Sequence, residues 1–311
     1  MKLWLIGAGS MAQDYVKVLR ALDVPFEVIG RGNESASKFF NSTGIKVQTG
    51  GVSLVLERHE APDTAIVSVG VDQLAKTTTA LIKAGTHRIL LEKPGGLNFE
   101  QIKVLNDVAV DYKSNVWLAY NRRFFGSTLK AEDFILDDGG VSSLRFEFTE
   151  WSNEIKDLKK SDRIKQFWLL GNSSHVIDLA FYLGGKPREW ACWHDGALEW
   201  HQSSSRFCGA GKTECGVNFS YFADWEAPGR WGLEVLTRKR RLIFIPMEQL
   251  HVIETGTTKS FQVELDNDLD VKYKPGLFRQ TEDFLKNQTE RLLPLAEQVI
   301  MAGIYSKMAG Y

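Results

Sequence analysis

No stretch of this sequence approaches the roughly 18 apolar residues that a bilayer-spanning helix requires. The amino terminus also lacks the basic, apolar and small-residue order of a secretory signal. No membrane role is expected, and a cytoplasmic setting is. Cysteine is scarce: Cys192, Cys208 and Cys215 are the three, and none stands in C-x-x-C spacing. An odd count without that spacing argues against a disulfide framework or a closed zinc site, so no metal is expected. Charge of one sign does not dominate either, with Lys+Arg 38 against Asp+Glu 39 and a net charge near −1. No global basic field exists to hold nucleic acid.

What is present is an ordinary globular composition, 43% hydrophobic and 25% charged over 311 residues, a length that suits two domains. Internal repeats and low-complexity tracts are absent. Short β-type runs near Leu3–Ile6, Phe26–Ile29, Ile45–Val47, Ala65–Val69, Ile89–Leu91 and Val116–Ala119 alternate with amphipathic stretches. That alternation predicts βαβ units around a parallel sheet. Met11, Tyr15, Val18, Leu19 and Leu22 recur at helical spacing, and further helices are expected near Gln73–Lys83 and Glu100–Tyr112. From about Asn121 the texture shifts to longer alternating, aromatic-rich strands, including Leu144–Thr149, Val217–Phe222 and Leu242–Ile245. Residues 121–311 are therefore expected to form a mostly antiparallel second domain, closing with helical sequence from Phe278 to Met308.

The strongest local signal is Gly7-Ala8-Gly9-Ser10-Met11-Ala12, between the first strand and the first helix. In a dinucleotide-binding turn, Gly7 permits the tight bend, Gly9 lets the backbone approach a pyrophosphate, and Ala12 allows close helix–strand packing. The helix amino terminus offers N–H groups to the phosphates. At the tip of the second strand, where an NAD site carries a carboxylate for the ribose 2′-hydroxyl, the chain reads Gly30-Arg31-Gly32-Asn33. Arg31 can pair with a 2′-phosphate, with Asn33 and Ser35 as donors, which favours NADP(H) over NAD(H). The plain alternative for Arg31 is a solvated loop arginine.

Glu92-Lys93-Pro94 follows the fifth strand, and Gly7, Arg31, Gly70, Lys93 and Asn121 are all expected at the carboxyl-end edge of the sheet, where ligands bind. A lysine there can donate to a substrate oxygen, although alone such a run usually marks a surface turn. A cis bond before Pro94 is possible. Further on, Asn172 or a serine is expected to cap a helix with apolar Val176, Leu179, Ala180 and Leu183. His175 then falls in its first turn, where the dipole keeps the ring neutral, and Asp178 is placed to orient it or to pair with a neighbouring strand. A lone histidine at a helix start is more often a structural hydrogen-bonder.

Taken together, Gly7-x-Gly9-x-x-Ala12, Glu92-Lys93-Pro94, Asn121-Arg122-Arg123-Phe124 and His175-x-x-Asp178 resemble the glucose–fructose oxidoreductase, inositol dehydrogenase and MocA family. The tail from Arg279-Gln280-Thr281 to the Leu295–Met308 helix extends the resemblance over nearly the whole chain. It implies a doubly wound Rossmann domain over 1–120 and an α+β substrate-binding and oligomerisation domain with a large open sheet over 121–311. It also implies that Lys93 contacts the reacting oxygen and that His175 is the general acid/base. Cofactor contacts are expected from Gly7, Gly9, Ser10, Met11, Arg31, Asn33, Val69, Gly70, Glu92, Lys93 and Asn121. Substrate contacts are expected from Arg122, Arg123, Asn172, Asp178 and Trp168. The family's aspartate four residues before the histidine is Gly171 here, with Asn172 a partial substitute.

The basic run Lys156, Lys159, Lys160, Arg163 and Lys165 reads first as a solvated face and second as a phosphate site, and Arg238–Arg241 as a hairpin turn or strand end. His194 and His201 lack metal-ligand spacing and read as sheet residues. The expected function is hydride transfer between NADP(H) and a sugar, polyol or nucleotide-linked sugar, in a homodimer or homotetramer. The alternatives are a cofactor-binding sensor without turnover and a sugar oxidoreductase or isomerase with tightly bound cofactor.

Overall fold

The computed structural model describes residues 2–311, and every count below refers to them. Two compact units emerge: residues 1–120 with 272–302, and residues 121–271 with 303–311. The sequence pattern assigns the whole tail to the second domain, but residues 272–302 belong to the first unit.

In that unit β1 (Leu3–Ile6), β2 (Glu27–Ile29), β3 (Val47–Gln48), β4 (Thr64–Val67), β5 (Arg88–Leu91) and β6 (Asn115–Leu118) form a parallel sheet ordered 3-2-1-4-5-6. Its central strands are apolar on both faces, as a parallel sheet covered on both sides requires: Leu3, Trp4, Leu5 and Ile6 are all buried. Helices α1 (Ser10–Ala21), α2 (Asn33–Thr43), α3 (Gly51–Leu56), α4 (Leu74–Lys83) and α5 (Phe99–Asp111) alternate with the strands. The inner stripe of α1 is Ala12, Tyr15, Val16, Val18 and Leu19, so Met11 and Leu22 flank it and are only half-buried.

The tail explains why 272–302 belongs here. Its short strand Leu293–Pro294 pairs antiparallel with β6, and Gln298 Nε2 donates to the Pro94 carbonyl at 2.9 Å and to the Tyr120 hydroxyl at 3.2 Å. In the helix Leu277–Lys286, the Phe284 carbonyl accepts from Arg88 Nη2 at 2.6 Å. A hydrophobicity pattern reads such a tail as helix without revealing which core it joins.

The second unit is built on an eight-stranded sheet of β7 (Ser143–Glu147), β8 (Pro187–Asp195), β9 (Arg206–Thr213), β10 (Asn218–Asp224), β11 (Gly232–Leu236), β12 (Arg240–Phe244), β13 (His251–Glu254) and β14 (Ser260–Gln262). The order is 14-13-12-11-7-10-9-8, antiparallel except for β7 with β10. Arg238 lies in the turn between β11 and β12, so that basic run is a hairpin. Phe146 stacks on Tyr221 at 5.2 Å and meets Phe181 of the helix Ser174–Gly184 edge-on at 5.5 Å.

His201 is buried among Trp200, Trp225, Phe207 and Tyr311 rather than lying in a sheet strand. Its Nδ1 lies 2.6 Å from the Ser204 carbonyl, which can only accept, so Nδ1 carries the proton. Nε2 then accepts from the Tyr311 hydroxyl at 2.9 Å, and that oxygen accepts the Leu169 N–H at 3.1 Å. Burial pushes the imidazole down to about 4 against the pull of the Ser204 carbonyl. Because the unfolded ring takes a proton near pH 6.5 and the folded one resists until about 4, stability is lost as pH falls through that window. The wild type should lose about 2 kcal/mol from this group between pH 7 and pH 5, from about 1.4 kcal/mol per pKa unit. His201→Gln should remove that share, as read by urea denaturation at the two pH values; an unchanged pH dependence in the variant would refute it.

Candidate functional site

A cleft of about 580 Å³ opens in the first unit at the carboxyl ends of β1, β2 and β4. Its walls are the Gly7-Ala8-Gly9 turn, Gly30-Arg31-Gly32, Ser68-Val69-Gly70, the pair Gly50-Gly51, and Lys76 and Thr77 of α4. Gly7 has φ +128°, and a Cβ there would lie 2.5 Å from the Ser68 carbonyl oxygen, so no side chain fits between β1 and β4. Gly9 differs in kind. A Cβ built on it meets nothing within 4 Å, so the glycine leaves open space beside the start of α1. That helix has no side-chain cap and no carboxylate in its first turn. Its first N–H groups and dipole thus suit a phosphate, and the turn fits a dinucleotide on its own geometry.

Arg31 is exposed at the tip of β2, and its guanidinium meets no acceptor among the described residues. The backbone around it is anchored, because Gly51 N–H donates to the Gly30 carbonyl at 2.9 Å and Gly50 N–H to the Arg31 carbonyl at 3.2 Å. Those two glycines and Lys76 were not singled out by the motif; the Gly-Gly pair after β3 was the available signal. Among the expected cofactor contacts, Gly7, Gly9, Arg31, Val69 and Gly70 line the cleft. Ser10 and Met11 sit in the first turn of α1 and Asn33 at the start of α2, outside its lining.

Glu92 and Lys93 follow β5, and the Lys93–Pro94 bond is cis. Glu92 Oε1 accepts from the Tyr15 hydroxyl at 2.8 Å, whose oxygen also accepts from Gln280 Nε2 at 3.3 Å. Burial pushes the Glu92 carboxyl up, opposed by the Tyr15 hydrogen bond and by the charges of Lys93 and Lys274. Glu92 thereby fixes the segment carrying Lys93 to α1.

In the second unit, Asn121, Arg122 and Arg123 form a short helical turn. Asn121 is buried there. Arg123 makes a bidentate pair with Asp178, Nε to Oδ2 at 2.9 Å and Nη2 to Oδ1 at 2.7 Å, and both side chains are buried. That pair commits Arg123 and Asp178 to each other. Trp168, expected at the substrate, packs edge-on to Trp200 inside the aromatic core at 6.0 Å.

His175 is the second residue of the helix Ser174–Gly184, half-buried, with its ring 6.0 Å from that of Trp231. The expected cap is not formed. A π-helical turn, Leu169–Ser173, runs into the helix, and the Ser174 N–H bonds back to Leu169, so the positive end is not open at His175. Asn172 instead donates Nδ2 to Glu150 at 3.0 and 3.2 Å. Glu150, which no sequence motif marked, is nearly fully buried and also accepts from Ser173 Oγ at 2.7 Å and Arg230 Nη1 at 2.9 Å. Burial raises its carboxyl; these donors pull it back. Its partners lie 22, 23 and 80 residues away in sequence, which is why no local pattern exposes them. Lys165, expected on a solvated face, is buried with Nζ donating to the Lys156 carbonyl at 2.5 Å, whereas Lys159, Lys160 and Arg163 are exposed.

Residues 1–120 match the model of the family GFO_IDH_MocA, described as an oxidoreductase family with an NAD-binding Rossmann fold. No curated protein sequence matches the chain. Among solved structures, levoglucosan dehydrogenase in complex with NADH and L-sorbose aligns with TM-score 0.79 at 17% identity, covering 99% of this chain and 95% of that one. The UDP-N-acetylglucosamine 3-dehydrogenase of Acidithiobacillus ferrooxidans gives 0.76 at 15%, over 99% and 96%. An oxidoreductase from Agrobacterium radiobacter, in complex with NAD+, L-tartaric acid and magnesium, gives 0.78 at 12%, over 98% and 94%. At these identities the likeness is one of fold.

The two glycines of the turn should separate on substitution. Gly9→Val should fold with a melting temperature within a few degrees of wild type and lose at least about tenfold in nicotinamide-nucleotide affinity, because its side chain fills the open cradle. Gly7→Ala should lower the melting temperature outright. Calorimetric titration and thermal unfolding read both; a Gly9→Val protein with unchanged affinity would refute the assignment of the cradle.

Proposed function

From the match of residues 1–120 to the GFO_IDH_MocA oxidoreductase family model, we propose that the chain is a nicotinamide-nucleotide-dependent oxidoreductase interconverting a hydroxyl and a carbonyl on a sugar, polyol or nucleotide-linked sugar. The observation that carries this is the cleft at Gly9, with its open cradle and its uncapped helix start. When bound there, the nicotinamide supplies the hydride donor or acceptor. Lys93 donates a hydrogen bond to the reacting oxygen and polarises it. His175 takes the hydroxyl proton in the oxidative direction and returns it in the reductive one. Tyr15 and Glu92 act one step back, holding the start of the Lys93 segment against α1.

NADP(H) is the cofactor this reading favours. The carboxylate of β2, Glu27, is engaged by Trp4 Nε1 at 3.0 Å and Gln48 Nε2 at 3.1 Å, and the strand tip carries the unpaired guanidinium of Arg31 instead. A guanidinium pairs with a 2′-phosphate through charge-assisted bonds that a 2′-hydroxyl cannot return. A homo-oligomer formed through the eight-stranded sheet fits the same reading, because exposed Trp193 and Phe222 fall in one cross-strand row with Cys208 between them.

By calorimetry NADPH should bind at least about tenfold tighter than NADH, and Arg31→Ala should remove most of the difference. Equal or reversed affinities would sink the cofactor assignment. In NADPH oxidation assays against keto-sugars and nucleotide-linked keto-sugars, Lys93→Ala and His175→Ala should each lower turnover by at least about a hundredfold while the proteins stay folded. Unchanged rates in both variants would refute these two roles, and no oxidation of NADPH by the wild type with any of these substrates would point to a binding protein without turnover.

A further inference from the structure

Arg122 and Arg123 are neighbours in sequence and opposites in circumstance. Arg123 has its acceptor in Asp178. The Arg122 side chain makes no hydrogen bond and no ion pair among the described residues, and its Nε is closed off from solvent without an acceptor. What it does have is aromatic surface. Its guanidinium carbon lies 4.8 Å from the Trp231 ring centroid and 5.7 Å from that of Phe125.

A second guanidinium converges on the same ring: Arg230 lies 4.5 Å from the Trp231 centroid while bonded to Glu150. The indole Nε1 of Trp231 is likewise buried without an acceptor. Burial and the charge of Arg230 both disfavour the Arg122 cation, which falls to about 10, against the opposing charge of exposed Glu248. At neutral pH it stays charged. Cation–π contact offsets part of the desolvation of a guanidinium but satisfies none of its five N–H donors. Arg122 is half-buried, and the charges of Glu248, Glu150 and Asp178 favour its cation, but its Nε is closed off from solvent with no acceptor. Nearly all buried polar groups in folded proteins are partnered, so this guanidinium has donor capacity for an acceptor from outside the chain.

His175 is next to this cluster, its ring 6.0 Å from that of Trp231. An acceptor brought to Arg122 would therefore belong to the molecule that His175 acts on, an inference resting on the reading of His175 given above. We propose that Arg122, assisted by Arg230, binds an anionic group of the substrate, a carboxylate or a phosphate, so that the substrate class is acidic or phosphorylated sugars rather than neutral ones. Planar guanidinium groups match either oxyanion, which supplies two charged acceptors to one fork where the hydroxyls of a neutral sugar supply uncharged ones.

The test is direct binding, which needs no turnover. Glucose, glucuronate, glucose 6-phosphate and UDP-glucose are titrated calorimetrically into full-length protein with reduced nucleotide present, and nucleotide affinity is measured separately. At least one anionic ligand should bind about tenfold or more tighter than glucose, the arm that wins identifying carboxylate, phosphate monoester or diphosphate. Arg122→Gln should abolish that preference while leaving nucleotide affinity intact. Its melting temperature should stay within a few degrees of wild type, since only the two ring contacts and no hydrogen-bond or ion-pair partner are lost. Equal binding of glucose and all three anions, a preference that survives Arg122→Gln, or a drop of several degrees in the variant's melting temperature would each overturn the proposal. Failure of the nucleotide to bind would overturn the oxidoreductase reading instead, and the anion preference would still be read from the ligand titrations.

Discussion

The first unit depends on a single topological fact: β1 pairs with β2 on one side and with β4 on the other, and all three run parallel. Chain leaving β1 turns towards β2 and β3, while chain leaving β4 turns the opposite way, so the loops at the carboxyl ends part and leave a crevice. The closeness of β1 and β4 beneath that crevice is what forbids a side chain at Gly7. The Gly7 N–H reaches the Ile29 carbonyl at 2.8 Å, and the Ser68 N–H reaches the Ile6 carbonyl at 2.8 Å, so both walls of the cleft are tied to the strand between them. A rigid floor and mobile-free backbone donors are what a phosphate-bearing ligand needs from a site that must be formed before it arrives.

Much of this was legible in the sequence because it is local. Gly7, Gly9 and Ala12 fall within six residues, and the strand and helix that give them meaning are adjacent. The central strands β1 and β4 show as short apolar runs because both of their faces are buried, which leaves no alternation to confuse with helix. The second unit was legible as a texture, antiparallel and aromatic, but its site was not. Glu150 gathers Asn172, Ser173 and Arg230 across 80 residues, and the Arg123–Asp178 pair spans 55. Contacts of that range leave no trace in periodicity. The helix start at His175 was misread for a related reason, since a capping residue and a donor to a distant carboxylate are the same amino acid in sequence, and Asn172 proved to be the second.

Buried charge in the second unit is arranged with unequal completeness. Asp178 and Glu150 each have guanidinium partners, and His201 is neutral with both ring nitrogens engaged. Against this background Arg122 is an exception, half-buried on Trp231 and Phe125 with its Nε closed off from solvent and no acceptor. Local rules broken without compensation inside the chain tend to sit where function is served.

The return of residues 272–302 to the first unit bears on how the chain reaches its native state. Until Leu293–Pro294 is in place, β6 is an edge strand with open backbone donors and acceptors, and the buried amide of Gln298 is missing from Pro94 and Tyr120. The second unit likewise waits for Tyr311, whose hydroxyl completes the His201 chain. Neither unit is a vectorial module that finishes while the ribosome is still working on the other. Both close only once residues 272–311 have emerged, so a chain stalled short of them presents two incomplete cores and one pairable sheet edge to chaperones and to other copies of itself.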